Sequence, residues 1–291
     1  MKILISTDTS CVVNYDILKK YEDISVFPLN VIIDGEEYLD GDATMQTKLK
    51  DAMRGGSDIK TSTPPLGIIT EYFENLFAKG YDHIIHFTIS SKLSSMYELF
   101  CNVANQNFAG KLTIIDAYSI STIMLSHVFY AYEEAGKGTA LEEIVENTKK
   151  RILNNPIIFV PENLTALKNG GRLSPAAAAI GTILGIKPVI VLEDGELKKS
   201  EVVRNVKRAF CERIEKLKVE YPITDYDWSL LGFDPNESTI DYIYEQIKKA
   251  VPQCDVITGV LPINVCAHCG PGTIGIIVSP KINGKSVREF M

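Results

Sequence analysis

Short apolar runs alternate with longer amphipathic segments along the first half of the chain. The runs are typical of buried strands, and the segments, whose apolar residues recur every three to four positions, are typical of helices. The predicted strands lie at 2–6, 83–89 and 112–116. The predicted helices lie at 45–54, 66–79, 95–106, 122–135 and 140–153. Because strands that alternate with helices of this length form sheets with crossover helices, the pattern predicts an α/β domain with a largely parallel sheet.

The pattern changes near residue 155. The later segments are a strand at 157–160, a hairpin around Asp194-Gly195, helices at 205–219 and 237–250, and strands at 228–233, 255–260 and 274–279. This order is typical of a mixed α+β domain. We therefore predict two domains, an N-terminal α/β domain at 1–155 and a C-terminal α+β domain at 156–291. A second Asp-Gly pair, Asp34-Gly35, predicts a hairpin within the first of them.

Composition excludes some classes of protein. The 291 residues carry a formal net charge of −7 and no dense cluster of Lys and Arg. This balance argues against a nucleic-acid-binding protein that works through a basic face. The N-terminal segment lacks the apolar core of a signal peptide, so we expect a cytoplasmic protein whose six cysteines are reduced.

The longest weakly charged run, residues 175–192, does not predict a membrane span. Gly181, Gly185 and Pro188 interrupt it. We interpret it as a buried helix, capped by Ser174-Pro175, followed by a strand. No membrane insertion is therefore expected.

Cys266 and Cys269 have the spacing of a metal-ligand pair. A structural zinc ion needs four ligands, however, and the sequence contains no second pair of this spacing. Only His268 lies nearby. We interpret the pair as ordinary thiols and expect neither a metal nor a cofactor.

Four serines, Ser90, Ser91, Ser94 and Ser95, crowd the junction between a predicted strand and a predicted helix. Ser95 begins a capping-box pattern that ends at Glu98, so helix capping explains this serine. Free backbone amides at a helix N-terminus, with hydroxyls nearby, also suit a carboxylate or a phosphate. For the remaining serines, anion binding and plain capping both stay open.

The segment Thr-Ser-Thr-Pro-Pro at 61–65 repeats this hydroxyl-rich pattern before the preceding helix. Thr63 could cap that helix, with a proline at its first position, which leaves Thr61 and Ser62 without a structural role. The carboxyl ends of parallel strands meet at one edge of a sheet. We therefore expect the two hydroxyl-rich loops to lie side by side and to donate to the same pair of oxygen atoms.

A nucleophilic serine is the rival interpretation. No Gly-x-Ser-x-Gly motif is present, and no base lies near the serines in the sequence. His268 lies in a segment rich in Gly and Pro, which favours a turn over a ligand site. Arg172 and Arg204 are each either an anion partner or a solvated charge. Asp8 and Asp116 end predicted strands, where a carboxylate caps the following turn.

Eight segments together resemble the DegV family of fatty-acid-binding proteins, and they occur in the order of that family. They are STDTS, TSTPP, ISSKLSSMY, IDAYSIS, LKNGGRLS, IKPVIVLEDGEL, VVR and HCGPGTIG. The resemblance spans essentially the whole chain. It implies a two-domain α/β protein that buries one long-chain fatty acid, with an N-terminal domain similar in fold to domains of dihydroxyacetone kinase.

The resemblance also implies roles for individual residues. The carboxylate-binding residues that it implies are Thr61, Ser62, Ser91 and Ser94. The candidates for the phosphotransfer and kinase-facing end are Arg172, Arg204 and His268. The protein would have no catalysis of its own and would present its fatty acid to a separate ATP-dependent fatty acid kinase. The acyl-phosphate formed there would enter phospholipid synthesis.

The chain departs from the family pattern at two places. Ser95-Met96 stands where the family has Gly-Thr, and the loop at 116–122 lacks the usual glycines. Both changes are expected to reshape the pocket. A serine hydrolase that cleaves acyl esters, through Ser91 or Ser94 with His268, is the alternative function. A phosphosugar binder is a third hypothesis, which rests on fold analogy alone.

Overall fold

The computed structural model of the protein describes residues 1–11, 16–41, 44–153, 155–173 and 185–291. Within these ranges the strands are β1 (Ile3–Asp8), β2 (Ile24–Phe27), β3 (Asn30–Ile33), β4 (Glu36–Leu39), β5 (Ile59–Ser62), β6 (His83–Thr88), β7 (Leu112–Asp116), β8 (Ile157–Val160), β9 (Lys187–Glu193), β10 (Glu196–Val203), β11 (Tyr226–Phe233), β12 (Ile257–Val260) and β13 (Thr273–Pro280). The α-helices are α1 (Asp16–Lys19), α2 (Met45–Gly55), α3 (Leu66–Phe77), α4 (Met96–Asn107), α5 (Ser121–Gly136), α6 (Leu141–Ile152), α7 (Thr165–Asn169), α8 (Val206–Glu220), α9 (Glu237–Ala250) and α10 (Ile263–Cys269). Among these helices, none combines the length and the apolar composition that a membrane span requires.

A parallel sheet in the order β2-β1-β6-β7 forms the centre of the first half. Helices cover both of its faces. Phe73 of α3 and Phe100 of α4 pack on one face, and Met124 and Phe129 of α5 pack on the other. Because both faces of the sheet are covered, all six residues of β6 are buried, including two histidines and a threonine. The predicted parallel sheet with crossover helices is confirmed.

A small antiparallel sheet, in the order β4-β3-β5, carries one of the hydroxyl-rich segments. Asp34 and Gly35 form the turn between β3 and β4, with φ angles of 49° and 88°. These left-handed conformations are those that an Asp-Gly hairpin needs. Thr61 and Ser62 end β5, which pairs with β3 rather than with the parallel sheet. The expectation that both hydroxyl-rich loops follow strands of one parallel sheet is therefore wrong.

A mixed sheet in the order β10-β9-β8-β13-β11-β12 forms the second half. Within it β11 and β12 are parallel, and the other described pairs are antiparallel. Phe210 of α8 and Ile247 of α9 pack around Trp228 on one face. Phe159 and Ile277 lie in a different apolar cluster, which includes residues of α2 and α10. The predicted mixed α+β pattern is confirmed.

The helix N-termini differ from the sequence prediction. Ser95 directly precedes α4, as expected, but its side chain makes no capping hydrogen bond. Ser94 Oγ instead accepts a hydrogen bond from the Met96 amide at 3.3 Å. Pro65 occupies the N-cap position of α3, so Thr63 is not the cap there. The helix expected after Ser174-Pro175 lies outside the described residues.

The end of the chain packs back onto the first half. Val287 and Phe290 join the apolar cluster around α5, and the rings of Phe290 and Phe129 stack with centroids 5.0 Å apart. The Val287 amide donates to Asp227 Oδ2 at 2.7 Å. The sheets therefore separate near residue 155, while two core clusters cross that point. The division into domains at 1–155 and 156–291 stays a prediction.

Candidate functional site

A cavity lies where the parallel, small and mixed sheets meet. The apolar residues that line it are Leu29, Ile89, Leu93, Met96, Ile120, Ile157, Phe159, Leu167, Leu197, Leu261, Val265 and Ile277. The polar residues that line it are Ser10, Asn30, Thr61, Ser62, Ser94, Arg172, Asn264 and His268. The described wall is thus mainly apolar, with a limited set of hydrogen-bonding groups.

Strands of the mixed sheet supply one apolar wall. Ile157 and Phe159 alternate on β8, so they point to the same face of the sheet, and Leu197 and Ile277 extend that face. Gly275 on β13 lies against Phe159, where an added Cβ would approach the Phe159 Cβ to 3.0 Å. The glycine therefore leaves room for the close approach of Phe159 on the neighbouring strand.

Thr61 and His268 join the small sheet to α10 at the polar part of the wall. Thr61 Oγ1 lies 2.9 Å from His268 Nε2. The other edge of the imidazole lies against Gly170, where an added Cβ would approach Nδ1 to 2.3 Å. Any larger residue at 170 would displace the ring, so α7 and β5 together hold the imidazole in position.

His268 is a neutral group at neutral pH. Burial and, to a lesser extent, the positive charge of Arg172 together lower its pKa to about 4. His268 lies in the last turn of α10, so the expected Gly/Pro turn begins only at Gly270. The interpretation of His268 as part of a turn is therefore wrong, because a seven-residue helix precedes the glycines.

Arg172 is half-buried and lines the cavity. Its Nε donates to the Leu93 carbonyl at 3.1 Å, and its Nη1 donates to the Gly170 carbonyl. Arg172 thus connects the loop at 90–95, which we call the serine loop, to the segment after α7. Arg204 is exposed after β10 and is not among the described residues that line the cavity.

The four serines of the loop after β6 have different positions. Ser94 lines the cavity. Ser90 is buried, and its hydroxyl donates to the Gly195 carbonyl of the β9–β10 hairpin at 2.6 Å. Ser91 is not among the described lining residues, and its amide donates to the Asp116 carboxylate at 3.1 Å.

Two carboxylates fix the loops at the carboxyl ends of the parallel strands, as expected for Asp8 and Asp116. Asp8 accepts from the Ser10 amide at 2.8 Å and from the Ile89 amide at 2.9 Å. Burial raises the pKa of Asp8, and these hydrogen bonds oppose that rise. Asp116 also accepts from the Tyr118 amide at 2.9 Å. The loops around the cavity are therefore held by hydrogen bonds from backbone amides to these carboxylates rather than by packing alone.

The other histidines lie away from the cavity. His86 is fully buried, stacks on Phe100 with ring centroids 4.4 Å apart, and places Nδ1 2.8 Å from Ser6 Oγ. His83 Nε2 lies 2.8 Å from Thr113 Oγ1. These contacts hold both imidazoles within the parallel sheet and its helices. In the described ranges, no group of three or more His, Cys, Asp or Glu side chains is arranged to hold a metal.

Asn264 and Ser10 are lining residues that the sequence reasoning did not select. Asn264 lies four residues before His268 on α10, so both point from the same face of the helix. This four-residue spacing of two polar residues in an apolar segment is the one sequence signal that could have identified Asn264.

These features define a class of protein, an α/β protein with a largely apolar cavity and a small set of hydroxyl, amide and imidazole groups in its wall. The chain belongs to the DegV family. A family model described as "Uncharacterised protein, DegV family" matches residues 2–281. The resemblance inferred from the eight segments is therefore confirmed.

Relatives and solved structures agree with this assignment. A DegV domain-containing protein of Staphylococcus aureus is 30% identical over 290 residues, which cover 96% of this chain and 99% of the relative. The crystal structure of a fatty acid binding DegV family protein from Streptococcus agalactiae is 26% identical, with a TM-score of 0.86 over 97% of this chain and 99% of the other. A structure described as showing fatty acid binding of a DegV family protein from Thermus thermophilus is 25% identical, with a TM-score of 0.85 over 96% of this chain and 100% of the other.

Proposed function

We propose that this protein binds one long-chain fatty acid, buries the acyl chain in the cavity and holds the carboxylate with side-chain hydroxyls. The observation that carries the proposal is the cavity itself, whose apolar wall meets the hydroxyl groups of Thr61, Ser62 and Ser94. Structural relatives with the same fold are described as fatty acid binding. The ligand would be the only small molecule that the protein requires, without a metal or a cofactor.

The acyl chain supplies the affinity. Transfer of each methylene group from water into an apolar cavity is favourable by about 0.8 kcal/mol. The apolar wall formed by Ile157, Phe159 and Ile277 is suited to this role. The net acidic charge of the protein does not oppose binding, because burial of the uncharged tail drives the transfer.

The head group would lie against Thr61, Ser62 and Ser94. Hydroxyl donors orient a carboxylate without the tight ion pair that a bidentate arginine would form. The two guanidinium contacts of Arg172 go to backbone carbonyls, which supports this reading. The family resemblance also implies Ser91, but Ser91 is not among the described residues that line the cavity, which gives no support to direct contact with the carboxylate.

The bound carboxylate would be presented to a separate ATP-dependent fatty acid kinase in the cytoplasm. There a carboxylate oxygen would attack the γ-phosphorus of ATP, and ADP would leave as the acyl-phosphate forms. Arg172 and His268 lie in the cavity wall and are candidates for the part of the site where the phosphoryl group is transferred. Arg204 is exposed and is a candidate for contact with the kinase. On this proposal the protein has no catalytic activity of its own.

Mass spectrometry under denaturing conditions tests the binding step. Protein purified from a bacterial host should release a fatty acid, and delipidated protein should bind palmitate or oleate. The Thr61→Ala/Ser94→Ala double variant should bind more weakly, by about tenfold or more if two hydrogen bonds to a charged group are lost. The matched control is Thr63→Ala/Ser95→Ala, which changes two exposed neighbours and should bind normally. Lipid-free protein that fails to bind either acid would refute the proposal.

Hydroxylamine trapping tests the presentation step. Protein loaded with oleate and mixed with ATP alone should give no acyl hydroxamate, and addition of a fatty acid kinase should give one. A fluorophosphonate probe tests the alternative, a serine hydrolase. Thr61 rather than a serine contacts His268, so we expect no stable labelling of the lipid-binding protein. Labelling of Ser91 or Ser94 would favour the hydrolase.

A further inference from the structure

A groove lies between β4, the loop at 63–65 and α3. The buried Phe27 and the half-buried Tyr72 form its floor, with ring centroids 5.0 Å apart. Leu39 of β4 and Ile68 of α3 also line the groove, and 58% and 51% of their surfaces are exposed. Large apolar side chains that are exposed together in one groove are typical of an interaction surface rather than of a core.

The core does not need the side of α3 that faces this groove. Ile68, Glu71 and Asn75 line the groove and are separated by three and four positions, so they lie along one side of the helix. Ile69 and Phe73 lie on another side and are fully buried in the apolar cluster that α3 shares with α4. The helix thus has one side in the core and a second side that no described residue covers.

The register of the small sheet connects the groove to the cavity. Asn30 of β3 lies directly opposite Leu39 of β4 and directly opposite Ser62 of β5. Residues that are opposite one another in paired strands have their side chains on the same face of the sheet, so these three form a row. Asn30 and Ser62 line both the groove and the cavity. A partner in the groove would therefore lie beside the part of the cavity wall that we propose for the carboxylate.

The charge of the groove is negative. Glu37 and Glu71 line it, and its described lining includes no Lys, Arg or His. Such a surface is complementary to a partner that carries Lys or Arg around an apolar segment. A second copy of this chain, placed symmetrically on the same groove, would bring carboxylates against carboxylates. The surface of an anionic membrane would be repelled for the same reason.

We propose that this groove, which we call the acidic groove and define by Glu37, Leu39, Ile68 and Glu71, is the docking site of the fatty acid kinase. The kinase would insert an apolar segment between Leu39 and Ile68 and place Lys or Arg side chains beside the two glutamates. Docking there would bring the kinase to the carboxylate end of the cavity and leave the buried acyl chain untouched. This inference rests on the proposed function, from which it takes its partner.

Hydroxamate formation by the fatty acid kinase and ATP tests the inference, with the full-length protein loaded with oleate as the varied substrate. The Glu37→Lys/Glu71→Lys variant should raise the concentration of loaded protein at half-maximal rate about tenfold or more, because like charges would then face each other. Ile68→Ser should raise it about fivefold to tenfold through the lost apolar contact. The maximal rate and the affinity for oleate should stay unchanged in both variants.

Matched controls lie on the outer sides of two other helices. Asp241→Lys/Glu245→Lys makes the same change of charge on α9, and Val219→Ser removes an exposed apolar side chain from α8. Both control variants should behave like the wild type. Equal half-maximal concentrations for the wild type and both groove variants would overturn the inference.

Other outcomes separate this inference from the proposed function. Self-association of the wild type that Ile68→Ser abolishes would mean that a second copy covers the groove, and binding to phosphatidylglycerol vesicles that Ile68→Ser abolishes would mean that a membrane does; either result would overturn the inference. Failure of the wild type to bind oleate would refute the proposed function itself. Oleate-loaded wild type that gives no hydroxamate with kinase and ATP would refute presentation to the kinase, and with it the docking site.

Discussion

Thr61 Oγ1 and His268 Nε2 lie 2.9 Å apart, although 207 positions separate the two residues in the chain. The contact joins the edge of the small sheet to the helix that carries Asn264. It holds a neutral imidazole and a hydroxyl as one unit in the wall of the cavity.

The first prediction concerns this pair. Thr61→Val and His268→Phe should each weaken palmitate binding, and the double variant should bind only slightly more weakly than either single variant. Groups that act through a shared hydrogen bond are not additive, and the coupling should be about 1 kcal/mol. Isothermal titration calorimetry measures the four affinities. If the losses of binding free energy in the two single variants add up fully in the double variant, Thr61 and His268 act separately. The control is Thr61→Val combined with Arg204→Gln, for which the two losses should add.

A second prediction concerns the charge of Arg172. Its guanidinium lowers the pKa of His268 beyond the effect of burial, so Arg172→Gln should raise that pKa from about 4 toward its ordinary value. Titration of the imidazole by NMR measures the change. Arg204→Gln is the matched control, because Arg204 is exposed and outside the described cavity wall, and it should leave the pKa unchanged. Equal shifts in the two variants would contradict a local charge effect.

A third prediction concerns the tip of the β9–β10 hairpin. Gly195 has a φ of 76°, and an added Cβ would lie 2.6 Å from Ser90 Oγ and 2.8 Å from Tyr118 Cδ1. Gly195→Ala should therefore reduce the free energy of unfolding by more than the 1–2 kcal/mol or so expected for a left-handed alanine. It should also weaken fatty-acid binding, because the serine loop must move.

Gly35→Ala is the control for that variant. Gly35 occupies the same position in the β3–β4 hairpin with a φ of 88°, but nothing lies within 4 Å of an added Cβ. Chemical denaturation of both variants separates two costs in the free energy of unfolding. One is the left-handed backbone of an alanine, which both variants share, and the other is the contact with Ser90 and Tyr118, which only Gly195→Ala makes. If the two variants lose the same stability, the contact with Ser90 contributes nothing.

A fourth prediction concerns His127, which is fully buried in α5 with no described partner for either ring nitrogen. Burial lowers its pKa to about 3, and the charge of Arg151 acts in the same direction. Between pH 6.5 and about 3 the unfolded chain binds a proton that the folded chain does not, so stability falls as the pH falls through this window.

His127→Leu should remove this contribution. We expect the variant to gain about 1 kcal/mol at pH 7, because an unpaired buried polar group is replaced by an apolar one. It should also lose less stability than the wild type between pH 6.5 and 4, as followed by urea denaturation. His83→Leu serves as the contrast, since it breaks the contact with Thr113 and should be destabilising. A destabilised His127→Leu variant would show that the imidazole has a partner.

Local patterns were sufficient for much of the fold. The helix at Glu237–Ala250 and the strand at Leu112–Asp116 agree with their predicted bounds residue for residue. Both Asp-Gly pairs form hairpin turns, because their left-handed φ angles are a local requirement. Capping was predicted less well, since Ser94 rather than Ser95 accepts the amide hydrogen bond at α4. Several neighbouring hydroxyls can compete for the same amides, and the sequence does not rank them.

The α/β alternation, the hydroxyl-rich segments at 61–65 and 90–95 and the resemblance to the DegV family can all be recognised from the order of residues alone. Tertiary structure decided that β5 pairs with β3, that Ser94 lines the cavity while Ser91 and Arg204 do not, and that α10 brings Asn264 beside it. Periodicity and turn chemistry act over a few residues and can be recognised in a sequence. Asn264 Nδ2 donates to Ser10 Oγ at 3.1 Å, although 254 positions separate the two residues. Only the folded chain brings those groups together.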